Sequence, residues 1–427
     1  MFVRRKRSGG GTARGNGYFR SRMKQLGGRS TLVRWAAAGA ALVAVLAVVL
    51  VAFRGEEKPV APVGMTRAIG ASEGTLNLVA LPGYVENGSS DPRVDWVTPF
   101  EERTKCKVTV RTAPTVEDLV DMMTDPGRRY DGATVPPEAA GRLIDGKHVA
   151  PVNPDLVGGY KDLEPRLRSL LRRDDTVYGV PFAWGVNLLV YDPKVVQPAP
   201  TSWAAVFDPA QAGRYGRRLI VRDTPLTLGD AALYLKSRNK KLKIDDPFAL
   251  TPDQLAAAGQ VLARQRPHVQ SHWQDPADAV SALAGGAAVL GQGWPYHVDV
   301  LGRAGRSVAA ATPKEGVTGW QDAWMVGARA QHPSCMYQWL KWTSSPDVQQ
   351  QVAEWTGVAP ANPEACARDR LRAEFCNAYH VGDRSYIGKV VFARTPARDC
   401  GEDGGSGCAG YAEWTQAWRK AVNPTPS

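Results

Sequence analysis

Residues 75–81 set Leu76, Leu78 and Ala80 against Asn77, the period-two pattern of a strand, and Pro82-Gly83 ends it. Further along, 94–103 reads as a helix, 107–111 as a strand and 116–123 as a second helix. A long apolar stretch at 178–191 predicts a buried strand, and 217–223, RRLIVRD, predicts another. Residues 224–235 look helical, and Thr201-Ser-Trp203 caps a short helix ending near Asp208. Asp275-Pro276 has the N-cap and first-turn proline of a helix stopped by Gly285-Gly286; a short strand at 287–290 then runs into Gly-Gln-Gly-Trp294. Ser345-Pro346 opens a helix with Gly357 as its stop. Strands alternating with helices give an α/β class, and no internal repeat interrupts the pattern.

Within this alternation the stretch 319–324, GWQDAW, stands apart. Extended backbone puts Trp320, Asp322 and Trp324 on one face. A carboxylate between two indoles suits neither a surface nor a core. It does suit a cation, since indole faces attract positive charge by about 0.5–2 kcal/mol each and a carboxylate adds a charge-assisted hydrogen bond. Thirteen tryptophans are present, and Trp184, Trp294 and Trp320 sit at strand ends beside Gly or Pro, where a ring can line a cleft. The opposite reading packs the Trp pair inward and leaves Asp322 to cap a turn.

Length and charge change the picture in two ways. A chain of 427 residues exceeds one ordinary core, so two domains or lobes are expected. The net charge of +11 is carried almost wholly by ten basic residues within 1–34, so the remainder is nearly neutral and no nucleic-acid partner is expected. The tail runs into 35–53, WAAAGAALVAVLAVVLVAF, 19 residues without a charge. As a helix that segment spans roughly 28 Å, enough to cross a bilayer. Positive charge on its N-terminal side places 1–34 in the cytoplasm and the rest outside, tethered to the cell membrane by a single pass. The competing reading is a cleaved signal peptide. Residues 54–73 read as a linker.

All six cysteines follow the apolar run, which fits an oxidising exterior. Fifteen pairings are open. Closeness in sequence suggests Cys366 with Cys376 and Cys400 with Cys408, leaving Cys106 for Cys335. No spacing reads as a metal site and no cofactor is expected. No nucleophile elbow, Walker loop or zinc-protease motif is present, so the chain does not read as an enzyme. A hydrolase using Asp322 and Glu138 as a carboxylate pair is the weakest of the readings.

The order of segments resembles the extracellular solute-binding proteins of ABC transporters, in their spermidine/putrescine-binding branch. The stretches that carry this are LVALPGYV (78–85), YD (130–131), YGVPFAWG (178–185), TSW (201–203) with FDP (207–209), PKEG (313–316) through Asp322, and QQVAE (350–354). Together they cover the chain from Leu76 to about Trp418. The resemblance implies a two-lobed α/β fold of the type 2 periplasmic-binding-protein kind with a hinge between lobes, here preceded by one transmembrane helix. Lobe 1 is expected at 74–182 and 319–343, lobe 2 at 186–315 and 345–423. Cys106 and Cys335 then share one lobe and the other four the second, in keeping with the pairing above.

The family's cleft residues map onto Tyr84, Trp294, Trp320, Asp322 and Gln351. The first-strand tryptophan is Leu81 here. The family's second pair of acids falls on Thr224 and Thr227, so one end of a diamine site is present and the other has lost its carboxylates. Asp223 or Glu138 offers a substitute. Threonines at a helix N-terminus suit an anionic or neutral group instead. The resemblance therefore implies a monomeric receptor that hands a small cationic organic solute to an ABC permease. A sensor module for a membrane partner and a receptor for a zwitterionic solute are the alternatives.

Overall fold

The computed structural model describes residues 64–367, 370–400 and 407–423. The basic tail, the apolar run at 35–53 and the linker up to residue 63 lie outside them, so the expected membrane anchor is outside the described residues. Among the described residues no helix is long and apolar enough to cross a membrane.

The alternating apolar runs form two sheets. Four strands begin the first: β1 (Thr75–Ala80), β2 (Lys107–Thr112), β3 (Gly132–Val135) and β4 (Val180–Val186). The chain then crosses into the second sheet through β5 (Leu188–Tyr191), β6 (Leu219–Arg222), β7 (Val269–Trp273), β8 (Leu290–Gly293) and β9 (Ala309–Ala311). It returns with β10 (Thr318–Gly327), β11 (Ala359–Pro360) and β12 (Val391–Phe392). The first sheet runs β11-β4-β10-β3-β1-β2, with β12 and Val149–Ala150 also paired to β10. The second runs β7-β6-β8-β5-β9. β1 is parallel to β2 and β3, while β10 runs antiparallel between β3 and β4. This is the two-lobed α/β architecture that the resemblance implies.

The 178–191 stretch, expected as one strand, is two. The break falls at Asn187, whose backbone N–H donates to the Thr318 carbonyl (2.9 Å) and whose side chain donates to the Thr318 hydroxyl (2.8 Å). A polar residue in a fully buried run must find partners off the ladder, and here those partners sit where the chain crosses back. Asn187 and Thr318 thus tie the two crossings together.

Ten helices of eight residues or more cover the described parts of the sheets. α1 (Val97–Thr104), α2 (Val116–Thr124) and α3 (Pro137–Asp145) belong to the early chain; α4 (Thr227–Arg238), α5 (Pro252–Gln265), α6 (Pro276–Ala284) and α7 (Pro295–Arg303) belong to the middle. α8 (Pro333–Thr343), α9 (Pro346–Thr356) and α10 (Tyr411–Val422) close the order. Their starts follow from capping chemistry: Thr115, Asp275 and Ser345 accept from the first turns of α2, α6 and α9, and Thr251 with Gln254 forms a capping box on α5. Gly357 ends α9 with φ +70°, a conformation costly to any residue with a Cβ. α4 starts at Thr227, three residues later than expected, because Thr224 and Pro225 make the preceding turn.

Residues 345–423, expected with the second lobe, are divided. β11 pairs with β4 of the first sheet, while α10 packs on α5 beside the second. One apolar cluster contains Phe100, Phe182, Trp184, Trp324 and Trp339 on the first-sheet side and continues to Trp273 and Trp294 on the second. Each fully buried side chain of this size contributes on the order of 2–3 kcal/mol. The lobes therefore meet through packed rings. Disulfides join Cys106–Cys335, Cys366–Cys376 and Cys400–Cys408.

Candidate functional site

The tightest polar contact where the sheets meet joins Tyr84 to Asp322. Tyr84 follows β1 in the turn opened by Pro82, and its hydroxyl donates to Asp322 Oδ2 at 2.5 Å. Both residues are buried. Burial pushes the Asp322 carboxyl up to about 7, against the Tyr84 hydrogen bond, with the Glu138 charge adding to the rise and Arg222 opposing it. Burial, and then the Asp322 charge, pushes the Tyr84 phenol well above its ordinary value, so it stays a donor.

β10 carries Asp322 and presents Trp320 on the same face. Trp320 lies against Gly185 of β4, where a Cβ would come within 2.5 Å of the indole. Glycine is the residue that lets the ring lie flat there. The register of β10 against β4 shifts between Asp322 and Ala323. Beyond that bulge Trp324 is fully buried, 5.8 Å from Phe182 and 5.5 Å from Trp339. It belongs to the core, and the face first read as three residues is divided in use.

From the second sheet, Trp294 follows β8 and packs 4.8 Å from Trp320 at 48°. Its indole N–H donates to Asn187 Oδ1 (3.0 Å) and its backbone N–H to His297 Nδ1 (2.8 Å). The ring is fixed from both sides.

Beside these indoles lies a cation the chain itself supplies. Arg222, the last residue of β6, holds its guanidinium carbon 5.2 Å from the Trp294 ring centre and 5.9 Å from that of Trp320. A nitrogen of the same group is 3.7 Å from Glu138 Oε1. Glu138 stands in the first turn of α3 and is 4% exposed. It also accepts from the Thr224 hydroxyl at 2.9 Å, so it reaches from the first lobe to the second. Its other oxygen, Oε2, has no partner among the described residues. Asp223, the other carboxylate considered, accepts from Trp418 (2.8 Å) and Gln274 (3.1 Å).

The two threonines do not offer open hydroxyls. Thr224 donates to Glu138, and Thr227 donates to the Arg222 carbonyl at 2.8 Å, securing the end of β6. Gln351 sits half-buried on α9, and no hydrogen bond links it to the other site residues. Outward from Arg222 and Glu138 opens a cavity of about 410 Å³, lined also by Thr224, Tyr411 and Trp418.

A second group underlies the indoles. Asp230 of α4 is fully buried and accepts from Gln292 at 2.5 Å and from the Thr318 hydroxyl. Gln292 in turn accepts the Arg222 backbone N–H at 3.0 Å. Burial pushes the Asp230 carboxyl up to about 6 in spite of these bonds. Pattern reading missed Asn187, Arg222, Asp230, Gln292 and Thr318. The available signal was a polar residue inside each of four strongly apolar elements, together with a threonine opening a fifth.

The model of the bacterial extracellular solute-binding protein family matches residues 95–374. The chain is 23% identical over 280 residues to a putrescine/agmatine-binding protein of Pseudomonas aeruginosa, covering 62% of this chain and 74% of that one. It is 23% identical over 310 residues to the putrescine-binding periplasmic protein PotF of Escherichia coli, covering 69% of this chain and 81% of that one. Among solved structures, the spermidine/putrescine substrate-binding protein PotD of Streptococcus pneumoniae superposes with a TM-score of 0.62 at 17% identity, over 82% of this chain and 99% of that one.

Proposed function

Because the chain belongs to the bacterial extracellular solute-binding proteins, which bind small solutes and work with ABC permeases rather than catalyse, we propose that it receives an amine-bearing organic solute in the inter-lobe cleft. The observation that carries this reading is the buried Tyr84–Asp322 pair beside two facing indoles, contributed by both sheets. An ammonium there replaces the proton on Asp322 and gains the aromatic faces. The relatives named for putrescine and agmatine support an amine as the solute. Transport then consists of closing on the solute and releasing it to a permease, a hinge motion about the crossings at Asn187 and Thr318. The apolar run at 35–53 would tether this monomeric receptor to the cell membrane, with its folded part outside.

The test is a thermal-shift panel on the full chain in detergent, with putrescine, spermidine, agmatine, a quaternary ammonium solute, amino acids and sugars. A solute at about 100 times its dissociation constant stabilises by roughly 2.7 kcal/mol. Amine-bearing solutes are expected to raise the melting temperature. A rise with sugars and none with amines would remove Asp322 and its indoles from the role assigned here.

A further inference from the structure

Arg222 lies beside the paired indoles, yet among the described residues none of its side-chain N–H groups meets an acceptor within hydrogen-bonding distance; its nearest is Glu138 Oε1 at 3.7 Å. A guanidinium carries five donors in a planar fork that matches a carboxylate in two parallel bonds. Beside it, Glu138 Oε2 is buried and also without a partner. Both residues line the cavity of about 410 Å³. An unfilled fork lining that cavity is complementary to a carboxylate on the molecule that enters it.

The charge placed by Arg222 points the same way. The cavity is lined by the carboxylates of Glu117, Glu138 and Asp223 and by the cations Arg222 and Arg419, and the Arg222 charge bears on Asp322 as well. A diamine with one ammonium toward Asp322 would bring its second toward the Arg222 guanidinium, and like charges held close in a desolvated site are costly. A carboxylate at that end pairs with the guanidinium instead. The strand end that carries Arg222 is fixed. Its backbone N–H is held by Gln292 and its carbonyl by Thr227, and Gln292 is itself bonded to buried Asp230.

We propose that Arg222 is a specificity-determining residue, selecting a solute with one ammonium and one carboxylate over a diamine. The solute's carboxylate pairs with the guanidinium, and its ammonium faces Asp322 and Glu138. This rests on the amine-receptor reading above and narrows it to amino-acid-like solutes.

Putrescine and 4-aminobutanoate make the matched probes, since they differ only in an aminomethyl group replaced by a carboxylate. Titration calorimetry on the full chain is expected to show 4-aminobutanoate binding at least tenfold more tightly. Arg222→Gln should reverse the order, by losing the carboxylate contact and relieving the repulsion of the second ammonium. Arg222→Lys, which keeps the charge and loses the fork, should keep the order with a smaller ratio. The ratio in the native protein is itself decisive should a variant misfold. Tighter binding of putrescine by the native protein, or a ratio unchanged in Arg222→Gln, overturns the role of Arg222 and leaves the receptor reading standing. Binding of neither probe overturns both.

Discussion

Asp322 governs the pH behaviour of the cleft. Its carboxyl is pushed up to about 7, first by burial. An ammonium binds the ionised form, so amine affinity should fall about tenfold per pH unit below 7 and level off above it. Titration calorimetry from pH 5 to 8 checks this; a flat profile would remove Asp322 from contact with the ammonium. The solute-free protein should show the opposite trend in stability. An unfolded Asp titrates near 4, so between about pH 4 and 7 the folded state holds the extra proton and stability falls as pH rises. The variant Asp322→Asn is free of this loss. Its advantage over the native protein should grow across that window and level off above pH 7, as read by urea unfolding. The comparison must be a difference, because buried His297, pushed down to about 4, contributes the reverse slope between about pH 4 and 6.5. Asp322→Ala should weaken amine binding at least about 100-fold, roughly 2.7 kcal/mol. At this scale alternation alone placed Trp320 and Asp322 on one face, and the family resemblance pointed to Tyr84 and Trp294. Arg222 stayed hidden because an arginine ending an apolar strand reads the same whether it faces water or two indoles.

The elements are held at their crossing points by hydrogen bonds that no periodicity reveals. Thr318, the first residue of β10, donates to Asp230 and accepts from Asn187, and so joins both crossings to α4. Thr318→Val keeps the shape but leaves a buried carboxylate and a buried amide each short of a partner. At about 1–3 kcal/mol per unsatisfied group, the loss should be on the order of 2–6 kcal/mol in denaturant unfolding. A loss below about 0.5 kcal/mol would mean the crossings are held by packing instead. The starts of α6 and α9 were legible from Asp275 and Ser345, because a cap is a local event written in one or two residues. The same code was present for α5 in Thr251, Pro252 and Gln254 and went unread within a polar surround. The break at Asn187 was not legible, since what divides β4 from β5 is a partner 131 residues away.

Between Cys106 and Cys335 the chain completes the whole of the second sheet before returning to the first, and the bond between them closes a separation of 229 residues. The two local disulfides, at separations of 10 and 8, each restrain a short segment. In the chain-entropy view, the long closure removes the most freedom from the unfolded state. The sequence separations made this pairing legible, whereas the allocation of 345–423 between lobes was not: β11 joins the first sheet by a two-residue ladder too short to carry a pattern. Replacing both Cys106 and Cys335 by serine should therefore lower unfolding free energy by about 2–5 kcal/mol, and more than replacing Cys400 and Cys408. The first pair lies at the edge of β2 and on α8, with no bond to Tyr84, Asp322 or Arg222. Amine affinity measured below the melting transition should accordingly stay within about twofold of native. A larger change in affinity would show that the long disulfide sets the relative position of the lobes and not the stability of the first alone.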